Sequence, residues 1–201
     1  MNEEDVEPNA GQPLVRPPKL SGRRVSLVPV MPEHHQQIYF LSLGDDTGFR
    51  WRFRGAIPSF ELFQHSLTTS VFVQFSIVLN SDARRVLGCV TAYNPSIQDG
   101  TVYVGIVTDK RIGAGGVEAM ALFLRYCFCL WPLRKIYLET PEYNLGQFAS
   151  ALEAGLLKEE GRLRGDRYFN DNYWDLVILA LYREDGEAMT ERFANMFGPD
   201  E

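Results

Sequence analysis

A run of small residues behind two basic ones is the part of this sequence best suited to chemistry. Lys110 and Arg111 follow an apolar segment, and Gly-Ala-Gly-Gly comes next at positions 113–116. Small side chains let successive backbone N–H groups approach an anion, and the N-terminus of a following helix carries a partial positive charge. The stretch therefore predicts a loop that binds a phosphate or pyrophosphate group.

Two common phosphate-binding patterns do not fit this loop. A P-loop needs Lys-Ser or Lys-Thr after its last glycine, whereas Val117 and Glu118 follow Gly116. A dinucleotide fingerprint needs a third glycine, and after Gly113 and Gly115 that position is Glu118. These mismatches disfavour both a nucleoside triphosphate and a nicotinamide or flavin dinucleotide as the ligand.

A third pattern does fit: a strand, a basic residue, and R-x-x-G/A-x-G/A at the start of a helix. Arg111, Ala114 and Gly116 supply its three fixed positions. The alternative is a tight strand-to-helix turn that binds nothing. Two basic and four small residues together favour the anion site over that alternative.

The elements that must position this loop alternate between strands and helices. Apolar residues at alternate positions or in short runs predict strands at 23–30, 71–79, 84–93, 101–108, 135–140 and 167–182, with one further strand possible around 156–163. Three- and four-residue spacing predicts helices at 31–43, 60–67, from the glycines to Pro132, and at 144–154. This order is typical of an α/β (α+β) domain.

Composition limits the class of protein. The chain has 201 residues and a net charge of −6, which disfavours nucleic acid as a partner. Residues 1–18 predict a disordered arm, 19–184 the folded domain, and 185–201 a polar tail that could be helical. No apolar run is long enough to span a membrane and the start is acidic, so we expect a cytoplasmic protein. Cys127 and Cys129 lie two apart on a predicted helix, a poor spacing for metal ligands, so we expect no metal.

The loop and its downstream residues resemble the GNAT superfamily of acyl-CoA-dependent N-acyltransferases. The sequence R-I-G-A-G-G-V-E-A at 111–119 is similar to the R-G-x-G-x-A-T-E-A of the ribosomal-protein alanine N-acetyltransferase branch. Asn144, Gly155 and Glu160-Gly161 follow at the spacing of that branch, and Tyr173–Asp175 resembles the start of its last strand. The resemblance runs from about Leu20 to Tyr182.

This resemblance implies the GNAT fold and its donor. A mixed, twisted sheet of six to seven strands would be flanked by helices, with acyl-CoA in a cleft between splayed parallel strands at 101–108 and 135–140. No metal is implied. A backbone N–H near Val107 would polarise the thioester, and Asn144 would bind the pantetheine arm. The residues that would bind the cofactor are Val107, Arg111, Ile112, Gly113, Ala114, Gly115, Gly116 and Asn144.

The catalytic side chains are less well marked, because Gln147 and Tyr103 replace a Ser and a Glu that the branch often carries. Glu139, on the strand that lines the implied cleft, is the first candidate for the general base; a solvated carboxylate at a strand end is the alternative. Tyr143 and Tyr103 are candidate acids. His34, His35 and His65 have no partner at ligand spacing.

Aromatic residues and arginines alternate in FRWRFR at 49–54. As a strand, this segment would place Trp51 and Phe53 on one face and Arg52 on the other. We expect these three residues to contribute to the acceptor site; an ordinary edge strand is the alternative.

The function that these residues favour is an acyl-CoA-dependent N-acyltransferase, with acetyl-CoA as the expected donor. The acceptor would be a primary amine of a protein N-terminus or a small metabolite, attacking directly in a ternary complex. A GNAT-fold protein that binds acyl-CoA or a partner without turnover is the alternative. The branch often forms dimers, so a homodimer is allowed; the acceptor and the length of the acyl group stay open.

Overall fold

In the described part of the chain, the sheet of the computed structural model has seven strands in the order β1-β2-β3-β4-β5-β7-β6. The structure describes residues 19–44 and 52–192, apart from the side chains at 187 and 190–192. The strands are β1 Val25–Pro29, β2 Val71–Leu79, β3 Asp82–Ser96, β4 Thr101–Thr108, β5 Lys135–Pro141, β6 Lys158–Phe169 and β7 Asn172–Tyr182. All neighbours run antiparallel except β4 and β5, which are parallel.

Five helices within residues 19–44 and 52–192 flank this sheet. They are α1 Pro32–Ser42, α2 Phe60–Ser66, α3 Gly115–Leu130, α4 Ala149–Glu153 and α5 Arg183–Arg192. Two 3₁₀ segments, Lys110–Ile112 and Glu142–Phe148, precede α3 and α4. The mixed sheet with flanking helices confirms the predicted fold class.

The two faces of the sheet are covered by different helices. Helix α3 packs Ala119, Leu122 and Phe123 into the larger core, where they meet the apolar side chains of six strands. Helices α1 and α2 form a smaller core on the opposite face, centred on Ile38 and Phe63. Because α1 and α2 cover only the β1–β4 half of their face, Tyr137 and Glu139 of β5 stay partly accessible on that face, whereas Lys135 is buried.

One buried carboxylate fixes the start of α3 against the sheet. Glu118 is only 3% exposed, and its Oε1 accepts the backbone N–H of Arg24 at 3.0 Å. An added Cβ on Gly22 would lie 1.9 Å from the same oxygen, so a side chain at this position would displace the carboxylate. The Glu of the loop pattern thus ties β1 to α3.

Two elements differ from the prediction. The single strand predicted at 167–182 is wrong, because Asn170 and Asp171 take φ of 53° and 57° and form a turn between β6 and β7. The further strand expected near 156–163 is therefore the longer β6. The helix predicted at 144–154 is half 3₁₀, and only Ala149–Glu153 is α-helical.

Candidate active site

The parallel strands β4 and β5 separate soon after they begin. They pair only from Thr101–Lys135 to Tyr103–Tyr137, and beyond that point they diverge. The gap opens into a cavity of about 1110 Å³ lined by the ends of both strands, the loop before α3 and the β6–β7 hairpin. A space of this size suits an extended ligand together with a second, smaller one.

Backbone groups of β4 face this gap without a strand partner on β5. Asp109 donates its N–H to Leu87 O on β3 at 2.8 Å, and Val107 is paired with Cys89 on the same side. Because N–H groups alternate between the two edges of a strand, those of Ile106 and Thr108 point towards the gap. The backbone donor expected near Val107 is therefore one residue to either side of it.

The glycine-rich loop lies at one end of the cavity. Ile112 and Gly113 line it, and the start of α3 has no side-chain cap, since Ala114 is the N-cap residue. Gly113 has φ of 54°, and an added Cβ there would meet nothing within 4 Å. An uncapped helix N-terminus beside open space fits an anionic group.

Arg111 is turned back towards its own loop. Its Nε donates to Asp109 Oδ1 at 2.8 Å and to Oδ2 at 2.9 Å, and its side chain is 72% exposed. Hydrogen bonds from Arg111 lower the pKa of Asp109 to about 2. The guanidinium has five N–H donors, so this pairing leaves donors for a phosphate.

Asn144 carries a buried oxygen that has no hydrogen-bond partner among the described residues. Its Nδ2 donates to Thr140 Oγ1 at 3.2 Å, which fixes the orientation of the amide. Its Oδ1 is buried and accepts no hydrogen bond from any described residue. Since Asn144 lines the cavity, this oxygen is placed to accept an N–H from a ligand.

Glu139 reaches the cavity from β5. It is exposed, and no hydrogen bond or ion pair joins it to any residue in the described parts of the chain. Tyr103 does not line the cavity; its ring packs between those of Tyr93 and Tyr137, at 5.7 and 5.1 Å. Burial, and then the Glu139 carboxylate, raise the pKa of Tyr103. Glu139 is thus better placed than Tyr103 to meet a bound amine.

Tyr143 also lines the cavity. Its ring contacts Phe169 and Trp174 at centroid distances of 5.0 and 5.5 Å. These contacts attach the segment that carries Asn144 to the β6–β7 hairpin.

The segment at 49–54 is described only in its second half. Trp51 lies outside the described residues. Residues 52–55 form a turn, because Arg54 and Gly55 take φ of 49° and 88°, so the strand considered for this segment does not extend through them. Arg52 and Phe53 nevertheless line the cavity.

Solved structures share this architecture at low sequence identity. A spermidine N-acetyltransferase from Vibrio cholerae, solved with CoA and spermine, matches with a TM-score of 0.68 and 18% identity over 81% of this chain and 98% of that one. A probable GNAT-family acetyltransferase from Chromobacterium violaceum matches with a TM-score of 0.65 and 21% identity over 87% of this chain and 94% of the other. The chain has the GNAT acetyltransferase fold. The sequence itself matches no protein-family model and no curated protein.

Within this GNAT fold, sequence reasoning missed residues that come together only in three dimensions. Tyr93 lines the cavity between Glu139 and Arg52, and burial raises its pKa to about 12, with Glu139 and Tyr103 adding to the effect. Arg167 and Tyr168 reach the same cavity from β6. The pairing of Tyr93 with Tyr103 across two predicted strands was the signal that could have pointed to Tyr93.

The described residues contain neither a helix that could span a membrane nor a cluster of metal-ligating side chains. No helix within 19–44 and 52–192 is long and apolar enough to cross a membrane. Over the same part of the chain, no group of three or more His, Cys, Asp or Glu residues could hold a metal ion.

Proposed function

We propose that this protein is an acyl-CoA-dependent N-acyltransferase that transfers an acetyl group to a primary amine. The observation that carries the proposal is the separation of β4 and β5, which exposes strand backbone to a cavity beside the uncapped start of α3. The GNAT fold supports it, since the V. cholerae neighbour was solved with CoA.

The donor half of the cavity fits coenzyme A. The pyrophosphate would lie on the 111–116 loop, where the α3 N-terminus, Lys110 and Arg111 provide positive charge. The orphaned Oδ1 of Asn144 would accept an amide N–H of the pantetheine arm. The thioester oxygen would receive a backbone N–H of Ile106 or Thr108, which stabilises the negative charge that develops as the amine attacks.

The side chains that would transfer protons lie in the acceptor half of the cavity. Glu139 is the candidate that would attract the ammonium group and remove its proton, so that the neutral amine attacks the thioester carbonyl carbon. The C–N bond forms as the C–S bond breaks, and the departing thiolate takes a proton. Tyr143 is the side chain proposed to donate it, since it lies at the cavity whereas Tyr103 does not.

The resemblance to the ribosomal-protein alanine N-acetyltransferase branch suggests a protein N-terminus as one acceptor. The V. cholerae neighbour, a spermidine N-acetyltransferase, suggests a small amine as another. The loop at 111–119 supports the branch through the donor site only. The acceptor therefore has to be argued from the residues around Glu139.

Release of free thiol separates this enzyme from its alternative, a GNAT-fold protein that binds acyl-CoA without turnover. Purified protein is mixed with acetyl-CoA and a panel of amines that includes polyamines, amino acids and N-terminal peptides, while thiol is followed. We expect release above the hydrolytic background for at least one amine. CoA binding without thiol release for every amine would favour the non-catalytic alternative.

A further inference from the structure

Charged side chains of both signs meet at the acceptor end of the cavity. Glu139 comes from β5, Arg52 from the turn before α2, and Arg167 from β6, and all three line the same cavity as Tyr93 of β3. They are distant in sequence, and the folded chain brings them to one cavity.

Arg52 is held rigidly against the sheet. One terminal nitrogen donates to Ser66 O, and the other lies 3.5 Å from Thr91 Oγ1 on β3. Ser66 is the last residue of α2, and the carbonyl end of a helix stabilises a positive charge. These contacts hold the guanidinium in a fixed place, where it lines the cavity together with Tyr93.

Arg167 of β6 lines the same cavity as Tyr93. Its Nη1 pairs with Asp166 Oδ2 at 2.5 Å, and its side chain is 19% exposed. The charges of these groups affect the phenol of Tyr93. Burial and then the Glu139 carboxylate raise the pKa of Tyr93, whereas the Arg52 and Arg167 guanidinium groups lower it. A carboxylate and two guanidiniums thus act on one small volume.

An aromatic surface borders this volume. Tyr143 packs on Phe169 at 5.0 Å, and Tyr168 packs on Tyr173 at 5.1 Å, and all four rings line the cavity. Tyr168 and Tyr173 are 62% and 70% exposed, so they stand at its mouth. Such a surface accepts a flat or apolar group.

We propose that the acceptor is a zwitterion: a primary amine that carries a carboxylate a few bonds away and an aromatic or apolar side chain, as in an aromatic amino acid. This rests on the proposed N-acyltransferase function. The ammonium group binds Glu139, the carboxylate binds Arg167 and Arg52, and the side chain packs on the Tyr143–Phe169 surface. Transfer releases one proton and free CoA, and leaves the acetyl group in an amide bond to the amine nitrogen.

The same charges disfavour a polyamine. Among the described residues that line the cavity, Asp109 is paired with Arg111 and Asp166 with Arg167, which leaves Glu139 as the carboxylate without an ion pair. A second ammonium group would meet guanidinium groups, and like charges at contact repel by about 1 kcal/mol or more.

Phenylalanine and phenethylamine form a matched pair for the test, since they differ in the carboxylate. We expect kcat/KM for phenylalanine to be at least about tenfold higher, because a charge-assisted pair with an arginine contributes about 1.5–3 kcal/mol. Arg167→Gln should remove most of that preference, by lowering the phenylalanine value about tenfold or more and the phenethylamine value less than about twofold. The Kd for CoA should not change.

Arg164→Gln is the matched control, because Arg164 lies on the same strand, is exposed and does not line the cavity. It should leave the preference intact. A kcat/KM for phenethylamine or spermidine equal to that for phenylalanine would overturn the zwitterion proposal while transferase activity stands. A preference for phenylalanine that persists in Arg167→Gln would overturn it in the same way.

If no amine supports turnover, the proposed function fails. Equilibrium binding of phenylalanine and phenethylamine to the CoA-loaded protein then still tests whether the cavity binds a zwitterion. Tighter binding of phenylalanine that is lost in Arg167→Gln supports the site. Equal or absent binding of the two compounds overturns it.

Discussion

Replacing Asn144 with alanine should separate stability from CoA binding. The Oδ1 of Asn144 is buried and has no hydrogen-bond partner among the described residues, while Nδ2 donates to Thr140 at 3.2 Å. A buried, unsatisfied acceptor costs about 1–3 kcal/mol in the free protein. A ligand that donates an N–H to this oxygen recovers that cost when it binds.

The size of each effect follows from these contacts. Asn144→Ala removes the unsatisfied oxygen and also one hydrogen bond worth about 1 kcal/mol, so the free energy of unfolding without ligand should change by less than about 1 kcal/mol. CoA binding should weaken by about 1–2 kcal/mol, which is a rise in Kd of roughly 5–30-fold.

Urea unfolding and calorimetric titration with CoA measure the two quantities. Gln74→Leu is the matched control, because Gln74 Oε1 is the other buried side-chain oxygen without a partner in the described residues, and it does not line the cavity. That variant should leave the Kd for CoA unchanged. A large loss of stability in Asn144→Ala together with an unchanged Kd would refute the assignment of Asn144 to the donor site.

Three other predictions concern catalysis, thiol chemistry and stability. Glu139→Gln should lower kcat about 10²–10⁴-fold with the Kd for CoA unchanged, as stopped-flow and binding assays would show; unaltered kcat would remove Glu139 as the base. A maleimide at pH 8 should label the exposed Cys129 and should not label Cys89 or Cys127 in the folded protein. Burial raises the pKa of Cys89 to about 11 and the pKa of Cys127 to about 12, so both stay protonated. Peptide mapping identifies the labelled cysteines, and labelling of all three would contradict the burial. Arg183→Met should lower the free energy of unfolding, measured in urea, by about 2–3 kcal/mol, because the guanidinium donates to three carbonyls at the end of α3 and beyond it. A loss below about 0.5 kcal/mol would show that those carbonyls find other hydrogen-bond donors.

The loop of the proposed donor site could be picked out from the sequence because its residues are adjacent in the chain. Arg111, Gly113 and the start of α3 form one continuous segment. The strand before it, β4, has the bounds that the alternation of apolar residues predicts. Asn144 came from its spacing in the family resemblance. The buried, unsatisfied state of its oxygen could not be read from the sequence, because it depends on Thr140 and on the packing around both.

The acceptor half could not be predicted in the same way. Arg52, Tyr93, Glu139 and Arg167 come from separate elements. The sheet order brings together the three that lie on strands, and the turn before α2 adds Arg52. Because 167–182 was predicted as a single strand, the hairpin of β6 and β7 was missed. The position of Arg167 at the cavity was therefore missed with it. The turn at Asn170 lacks the glycine that usually marks such hairpins, and β6 is an edge strand whose polar residues give little apolar alternation.

The claim on which the rest depends is that the gap between β4 and β5 holds the acyl-CoA donor. A crystal structure of the protein with CoA tests it directly. We expect the pyrophosphate on the backbone of residues 113–116, a pantetheine amide within hydrogen-bond distance of Asn144 Oδ1, and the sulfur beside β4 on the side of Glu139. CoA bound elsewhere on the protein, or a gap that stays empty at saturating CoA, would contradict the claim.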